Sequence, residues 1–176
     1  MSRPAPTTTL PDVETAQGRW ELGLRLVTIG AVWVLVLAAG VGLLGVRTAE
    51  TSASGQGYEM TVTYAAVTRP GLATPFSIEI RTSDGSALPP ELTVRISSDY
   101  LAIFDDNGME PLPAESFNTE EWTWWTFTVP DGQESLIVDL DARLEPAVQW
   151  GRSGEAVLEL DGEDAVSAEF TSKVAP

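Results

Sequence analysis

Phe76-Ser77-Ile78-Glu79-Ile80-Arg81 alternates apolar and polar side chains at every position. The stretches 60–64 (MTVTY) and 92–96 (LTVRI) repeat this pattern on either side of it. Successive side chains of a β-strand point to opposite faces, so each stretch predicts a strand with one buried face. Further strands are predicted at Tyr100–Phe104, Trp122–Val129, Ser135–Leu144, Glu155–Leu160 and Ala165–Val174.

Turn-forming residues separate these stretches, and no useful helical periodicity occurs after residue 50. This spacing predicts an all-β fold, an immunoglobulin-like antiparallel β-sandwich of roughly seven or eight strands. A closed barrel is the competing architecture. The long irregular stretch Asp105–Glu121 favours the sandwich, because a connection that crosses between sheets needs length. The turns lie at Arg69-Pro70-Gly71, Asp84-Gly85, Pro89-Pro90, Asp106-Asn107-Gly108, Asp131-Gly132 and Asp161-Gly162.

The same alternation predicts which side chains form the core of this domain. They are the apolar members of each strand that share one face. The predicted core is Val62, Tyr64, Phe76, Ile78, Ile80, Leu92, Val94, Ile96, Trp125, Phe127, Leu136, Val138, Leu140, Leu158 and Phe170.

An apolar segment before the β-rich region predicts one transmembrane helix. Leu26–Val46 is free of charged residues, and as a helix it spans roughly 31 Å, close to the thickness of a bilayer core. Arg3, Arg19 and Arg25 precede the segment, whereas Arg47 alone follows it closely. The positive-inside rule therefore puts the N-terminus in the cytoplasm and the remainder outside.

Composition divides the chain into four regions. Residues 1–18 are predicted to be a disordered cytoplasmic tail, and residues 19–47 the anchor with its flanks, spanning the membrane at 26–46. Residues 48–57 lack large apolar groups and predict a flexible linker, followed by the extracytoplasmic domain at 58–176. The alternative is a signal peptide cleaved near Thr51-Ser52-Ala53, although its apolar region would be unusually long.

The charge and the missing residue types exclude several function classes. The chain has a formal net charge of -16, which is unfavourable for nucleic-acid binding because phosphates need neutralising cations. It contains no histidine and no cysteine, which removes ordinary zinc sites, thiol nucleophiles and imidazole bases. No G-x-S-x-G motif, phosphate loop or dinucleotide fingerprint is present. The sequence therefore predicts a non-enzymatic protein without cofactor or metal. Arginine greatly outnumbers lysine, which is typical of a high-GC bacterial genome.

Two tryptophans are the leading candidates for partner binding. If Trp125 and Phe127 point into the core, alternation puts Trp122 and Trp124 on the opposite face. There they would form an apolar platform for a partner or a sugar ring, unless Asp105–Glu121 or the linker folds over them. Between the last strands, Trp150 and Arg152 are a second candidate contact, and they could stack as a cation–π pair.

Small residues on the predicted helix form a candidate packing face. Ala31, Ala38, Gly42 and Gly45 fall on one stripe, where another membrane helix could approach closely.

Two acidic features have weaker functional interpretations. Asp105–Glu110 resembles a calcium loop but lacks the required ligand spacing, so a tight turn explains it better. Asp139 and Asp141 share one strand face about 7 Å apart, a spacing that glycoside hydrolases use. Solvated surface carboxylates are the simpler interpretation.

Two segments resemble a known type of protein. Residues 69–75 (RPGLATP) and 149–152 (QWGR) are similar to segments of single-pass membrane proteins of unknown function from high-GC bacteria. The resemblance covers the anchor and about Tyr58–Pro176. It implies an anchor followed by an immunoglobulin-like extracytoplasmic domain, and it carries no activity.

Together these features favour a membrane-anchored extracytoplasmic binding or accessory module that contacts another cell-envelope protein. The bilayer would hold the anchor, and the partner could be a membrane protein. A cell-wall carbohydrate-binding module that uses Trp122 and Trp124 is the first alternative. A hydrolase that uses Asp139 and Asp141 is the second.

Overall fold

A computed structural model describes residues 14–40, 45–147 and 150–175, and the chain divides into two units, residues 1–44 and 45–176. The first unit contains helix α1, Glu14–Gly40. The second is mostly β and contains strands β1 to β10 and one short helix, α2. Their bounds are β1 Arg47–Gly55, β2 Tyr58–Thr68, β3 Ala73–Thr82, β4 Glu91–Ser97, α2 Ser98–Leu101, β5 Phe104–Glu110, β6 Glu115–Asn118, β7 Trp122–Thr128, β8 Ser135–Leu144, β9 Arg152–Leu160 and β10 Glu163–Val174.

Helix α1 contains a segment that is long and apolar enough to cross a membrane. This segment is Trp20–Gly40, 21 residues with a mean hydropathy of 2.2. It begins six residues before the predicted span of 26–46. Gly45 and Val46 lie outside the helix, because they lead into β1, whose pairing needs extended backbone. The predicted disordered tail is wrong at residues 14–18, which belong to α1, and its first 13 residues lie outside the described ones.

The strands form one curled sheet with the order β5-β8-β3-β2-β10-β9-β4-β7-β6, and β1 also pairs with β2. Within this order every pairing is antiparallel except that of β2 with β10. The exception is short: Val67 and Thr68 lie beside Lys173 and Val174. It joins two antiparallel halves, one from β5 to β2 and the other from β10 to β6. Both halves contribute buried side chains to a single hydrophobic core.

The predicted linker is wrong, because residues 47–55 form β1 in register with β2. Gln56 and Gly57 turn the chain back with φ of 48° and 84°, the two positive values of a tight hairpin turn. Four of the nine residues of this strand are serine or threonine, and the neighbouring strand supplies the hydrogen bonds that hold them in extended backbone. At its end, a Cβ on Gly55 would lie 2.2 Å from the Ala165 carbonyl oxygen, so only glycine fits there.

Three further predictions fail between β4 and β7. The stretch Asp105–Glu121 is not irregular, since it contains most of β5 and all of β6. The predicted turn at 106–108 lies inside β5, where the register with β8 shifts. The predicted strand Tyr100–Phe104 is wrong at its start, because Tyr100 and Leu101 belong to helix α2, whose turn is closed by the Ala102 N–H donating to the Ser98 carbonyl oxygen. Phe104 is the first residue of β5. The described residues therefore hold ten strands rather than seven or eight.

The core prediction is largely confirmed. Every predicted core residue is buried except Tyr64, which is half-buried and packs against the core. The alternation in β3, β4 and β8 is strict, which explains this success. The buried residues that sequence analysis missed include Met60, Leu88, Tyr100, Ile103, Phe104, Ala142, Leu144, Ala156, Ala165, Val166 and Ala168.

Tyr100 is the centre of an aromatic cluster in this core. Its side chain is fully buried, and its ring centroid lies 4.7 Å from that of Phe170, 5.2 Å from Phe104 and 5.6 Å from Phe76. The phenol oxygen lies 2.8 Å from the Ser172 hydroxyl, so the polar tip has a partner. Burial raises the pKa of Tyr100 to about 12, although the hydrogen bond with Ser172 acts to lower it.

This raised pKa predicts a loss of stability in alkaline solution. Below pH 10 the phenol is protonated in both states, and its contribution is fully present. Between about pH 10 and 12 the unfolded chain loses the proton while the folded chain keeps it, which favours unfolding by about 2–3 kcal/mol at the upper end. Urea unfolding of the full chain at several pH values should show this fall. Tyr100→Phe should show a shallower one, and equal slopes would contradict the assignment to Tyr100.

Candidate functional site

Strand β7 places its aromatic side chains on both faces of the sheet. Trp125 and Phe127 are buried in the core, and Trp122 and Trp124 are half-buried on the outer face. The predicted alternation is therefore confirmed. Because a strand has period two, the run WTWWTF of residues 122–127 supplies both the core and the outer surface.

The neighbouring strands put one aromatic ring and one arginine beside these indoles. Phe117 of β6 and Arg95 of β4 both pair in register with Trp124, so all three side chains share the outer face. The rings of Phe117 and Trp124 lie 5.6 Å apart, tilted by 45°. The side chain of Phe117 is 63% exposed, because β6 lies at the edge of the sheet. We call Phe117, Trp122, Trp124 and Arg95 the aromatic face.

Arg95 is held by three neighbours at once. Its guanidinium carbon lies 4.6 Å from the centroid of the Trp122 ring, a cation–π distance. Its Nη1 donates to Glu159 Oε1 at 2.5 Å, and its Nη2 donates to Asp164 Oδ2 at 2.7 Å. The Trp124 Nε1–H donates to the same Glu159 oxygen at 3.3 Å. This network fixes the orientation of both indoles and covers one face of Trp122.

A polar depression of about 800 Å³ lies beside Trp122. Four carboxylates line it, those of Asp99, Glu120, Glu121 and Glu155. Trp122 and three hydroxyl side chains complete the lining, so no lysine or arginine among the described residues borders it. The depression therefore presents negative charge next to an aromatic ring.

The second predicted contact pair is exposed but differently arranged. Trp150 is 78% exposed and Arg152 is exposed at the start of β9. The predicted cation–π contact between Trp150 and Arg152 is not found among the described residues. The cation–π contact of the structure joins Arg95 and Trp122 instead. Trp150 and Arg152 line a separate depression, which shares Ser153 with the one beside Trp122.

The predicted packing stripe of the helix is only partly on α1. Ala31 is exposed and Ala38 half-buried within α1, seven residues apart on one side. Gly42 lies outside the described residues. Gly45 lies in a bend beyond the helix, so the stripe does not extend to it.

The paired carboxylates of the hydrolase alternative lie on the other half of the sheet. Asp139 and Asp141 are exposed on the outer face of β8. Their register partners in β5 are Glu110 and Gly108. Exposed carboxylates at such a position are those of an ordinary solvated strand face.

Sequence analysis missed Phe117 and Arg95. Phe117 fell in a stretch predicted to be irregular, and Arg95 looked like a solvent-facing member of an alternating strand. Which residues adjoin across strands depends on the strand order and register, and alternation within one strand does not specify either. The sequence did offer one signal for the acidic part of this site, the two negative residues Glu120 and Glu121 directly before Trp122.

Comparison with known proteins adds no relative to this description. No protein-family model matches the chain, and no curated protein matches it. The function proposed below therefore depends on the geometry of the chain's own residues.

Proposed function

We propose that the chain is a non-catalytic binding or accessory module, anchored in a bacterial cell membrane, that contacts another cell-envelope protein through its aromatic face. The observation that carries this proposal is the exposure of Phe117 beside two half-buried indoles. Aromatic side chains that stay exposed and close together are enriched where proteins bind partners.

The contrast with the opposite outer face supports the choice of this surface. The outer positions of β3 and β8 include Glu79, Arg81, Asp139 and Asp141, with Ile137 as an isolated exposed apolar residue. Arg81 there forms an ion pair with Glu79 at 3.0 Å. Such a face is typical of ordinary solvated surface.

Helix α1 supports the proposed location. We propose that Trp20–Gly40 crosses the membrane, with the N-terminus in the cytoplasm and residues 45–176 outside. The arginines before the segment favour this orientation. A membrane partner could also pack on the helix near Ala31 and Ala38, where small side chains permit close approach.

For the β-rich unit we propose an immunoglobulin-like sandwich. Two antiparallel halves that bury one common core support this architecture. The short parallel pairing of β2 with β10 joins the halves in the strand order, and Gln56 beside β2 also donates a hydrogen bond to the Asp164 carbonyl oxygen of β10.

A protein partner is favoured over a glycan. A sugar ring is bound best by a broad, flat aromatic platform, and Arg95 leaves only one face of Trp122 open. The Phe117 and Trp124 rings are tilted by 45° and do not form a flat platform.

Photo-crosslinking in the native membrane tests this proposal. Benzoylphenylalanine is placed at Phe117 in one variant and at Ile137, 50% exposed on the opposite outer face, in the control. Membranes are irradiated at neutral pH first, then washed with alkaline carbonate and analysed by mass spectrometry. We expect the chain to stay in the membrane fraction and to form a protein adduct from position 117 that is weak or absent from position 137.

Other outcomes would contradict specific parts of the proposal. Release of the chain by carbonate would contradict the membrane anchor. A glycan adduct at position 117 would support the carbohydrate-binding alternative instead. Equal adducts from both positions, or no adduct from either, would exclude the aromatic face as a specific contact surface.

A further inference from the structure

We infer that the aromatic face and the depression beside it bind an arginine-bearing segment of the partner protein. This inference depends on the proposed function, because it specifies the chemistry of the partner that the same surface contacts. Three observations carry it: an arginine already bound in this environment, the charge of the depression, and the position of Phe117.

Arg95 shows which group this environment accommodates. Its guanidinium stacks on the Trp122 indole and donates to two carboxylates, Glu159 and Asp164. A planar cation with several N–H donors satisfies an aromatic ring and carboxylate oxygens together. Trp122 also lines the depression, so a second guanidinium there would lie beside the same indole.

The depression supplies the negative charge for that second guanidinium. Asp99, Glu120, Glu121 and Glu155 line it, and no basic side chain among the described residues neutralises it from within. Residues 48–176 contain 23 acidic and 6 basic side chains, so the surrounding field also attracts cations. Two of these basic groups, Arg81 and Arg143, lie on β3 and β8 in the other half of the sheet.

Phe117 adds an apolar contact at the edge of the same surface. Its exposed ring packs against Trp124 on one side and faces solvent on the other. A segment that alternates arginine with an apolar residue could place its cation in the depression and its apolar group near Phe117. Arginine is favoured over lysine, because a guanidinium stacks on indoles and bonds carboxylates with two nitrogens.

Binding of defined peptides to the full chain tests this inference. The chain is held in nanodiscs of phosphatidylcholine, and empty nanodiscs are subtracted. The probes are two fluorescein-labelled hexapeptides, one of alternating arginine and leucine and one of alternating lysine and leucine, followed by anisotropy. We expect the arginine peptide to bind about five-fold more tightly than the lysine peptide, because a guanidinium stacks flat on the indole and bonds carboxylates with two nitrogens, which an ammonium does not.

Matched variants separate a specific site from general attraction to an acidic protein. Glu120→Gln with Glu121→Gln removes two charges beside Trp122, and Asp139→Asn with Asp141→Asn removes two from the opposite outer face. We expect about a ten-fold loss of affinity in the first pair and less than about two-fold in the second. Phe117→Ala should weaken binding about three-fold or more, and Ile137→Ala should leave it unchanged.

Equal losses in the two carboxylate pairs, or equal affinity for the two peptides, would overturn the inference. Phe117 is 63% exposed, so its alanine variant tests the surface without disturbing the core. Failure here is distinguishable from failure of the proposed function. A protein adduct at position 117 without selective peptide binding would leave the contact surface in place and reject the arginine-bearing partner.

Discussion

Replacing Tyr100 with alanine is expected to lower the free energy of unfolding by about 3–5 kcal/mol. The side chain is fully buried, and it contacts the rings of Phe76, Phe104 and Phe170. Alanine would leave a cavity between these rings, because their own strands hold them in place. A domain of this size is stable by only about 5–15 kcal/mol, so the variant would lie near the limit of folding. Urea unfolding of the full chain in mild detergent, followed by tryptophan fluorescence, measures the change.

Two companion variants separate the contributions of the ring and the hydroxyl. Tyr100→Phe keeps the ring but leaves the buried Ser172 hydroxyl without its partner at 2.8 Å, which should cost about 1–2 kcal/mol. Phe117→Ala removes an exposed aromatic ring and should cost less than about 1 kcal/mol. A Tyr100→Ala loss no larger than that of Phe117→Ala would contradict the central role of this ring.

Gly154 provides an internal test of the packing around Tyr100. A Cβ there would lie 2.7 Å from Tyr100 Cγ and 2.7 Å from Phe170 Cε2. Gly154→Ala alone should therefore destabilise the fold by about 1–3 kcal/mol through overpacking. In the Tyr100→Ala background the close contact with Tyr100 Cγ is removed, whereas those with Cβ of residue 100 at 2.8 Å and with Phe170 remain. The double variant should therefore lose somewhat less than the two single losses together. Simple additivity would contradict the contact.

Replacing Arg95 with alanine is expected to cost about 2–3 kcal/mol, the second largest effect. The guanidinium forms charged hydrogen bonds with Glu159 and Asp164, and the side chains of Arg95 and Glu159 are only 20% and 15% exposed. Without its partner, the Glu159 carboxylate would keep the Trp124 Nε1–H as its side-chain donor among the residues that the structure describes. Breaking a pair that is mostly buried costs more than breaking an exposed one, because the remaining charge stays poorly solvated.

Arg81→Ala is the matched control for this prediction. Arg81 pairs with Glu79 at 3.0 Å on the opposite outer face, where its side chain is 47% exposed. Exposed ion pairs contribute roughly 0–1 kcal/mol, so a small loss is expected in the same urea assay. Arg95→Lys should fall between the two, because an ammonium keeps the charge but not the stacked, two-nitrogen geometry. Equal losses for Arg95→Ala and Arg81→Ala would contradict the role given to burial.

The predictable part of the fold is the part where alternation is strict. In β3, β4 and β8 the apolar side chains recur at every second residue, and all of those predicted for the core are buried. The apolar helix was also predictable, because its length and composition alone mark it. The positions of the helix ends were less predictable, since charged residues such as Arg25 lie within the helix.

The remaining elements depend on partners that a single stretch of sequence does not reveal. Strand β1 has no large apolar residues, and it is a strand because β2 supplies its hydrogen bonds. The short β6 is exposed at all four positions, so no burial pattern marks it. Tyr100 alternates in sequence like a strand residue, yet it lies in helix α2 and is buried there, and β5 begins only at Phe104.

The candidate site divides in the same way. The outward direction of Trp122 and Trp124 follows from the alternation in β7, and sequence analysis predicted it. Phe117 and Arg95 join them only through pairing of β6 and β4 with β7. A site built across strands therefore becomes visible only when the register is known.

The parallel pairing of β2 with β10 has a consequence for how the molecule folds. Val67 and Thr68 meet residues that follow them by more than about a hundred positions, so this contact raises the contact order of the domain. Loop-closure entropy must be overcome before such contacts form, and β topologies of this kind fold in roughly milliseconds to seconds. During synthesis on the ribosome, the edge of β2 that pairs with β10 would stay unpaired until β10 has emerged. The final strand therefore sets when the whole domain can close.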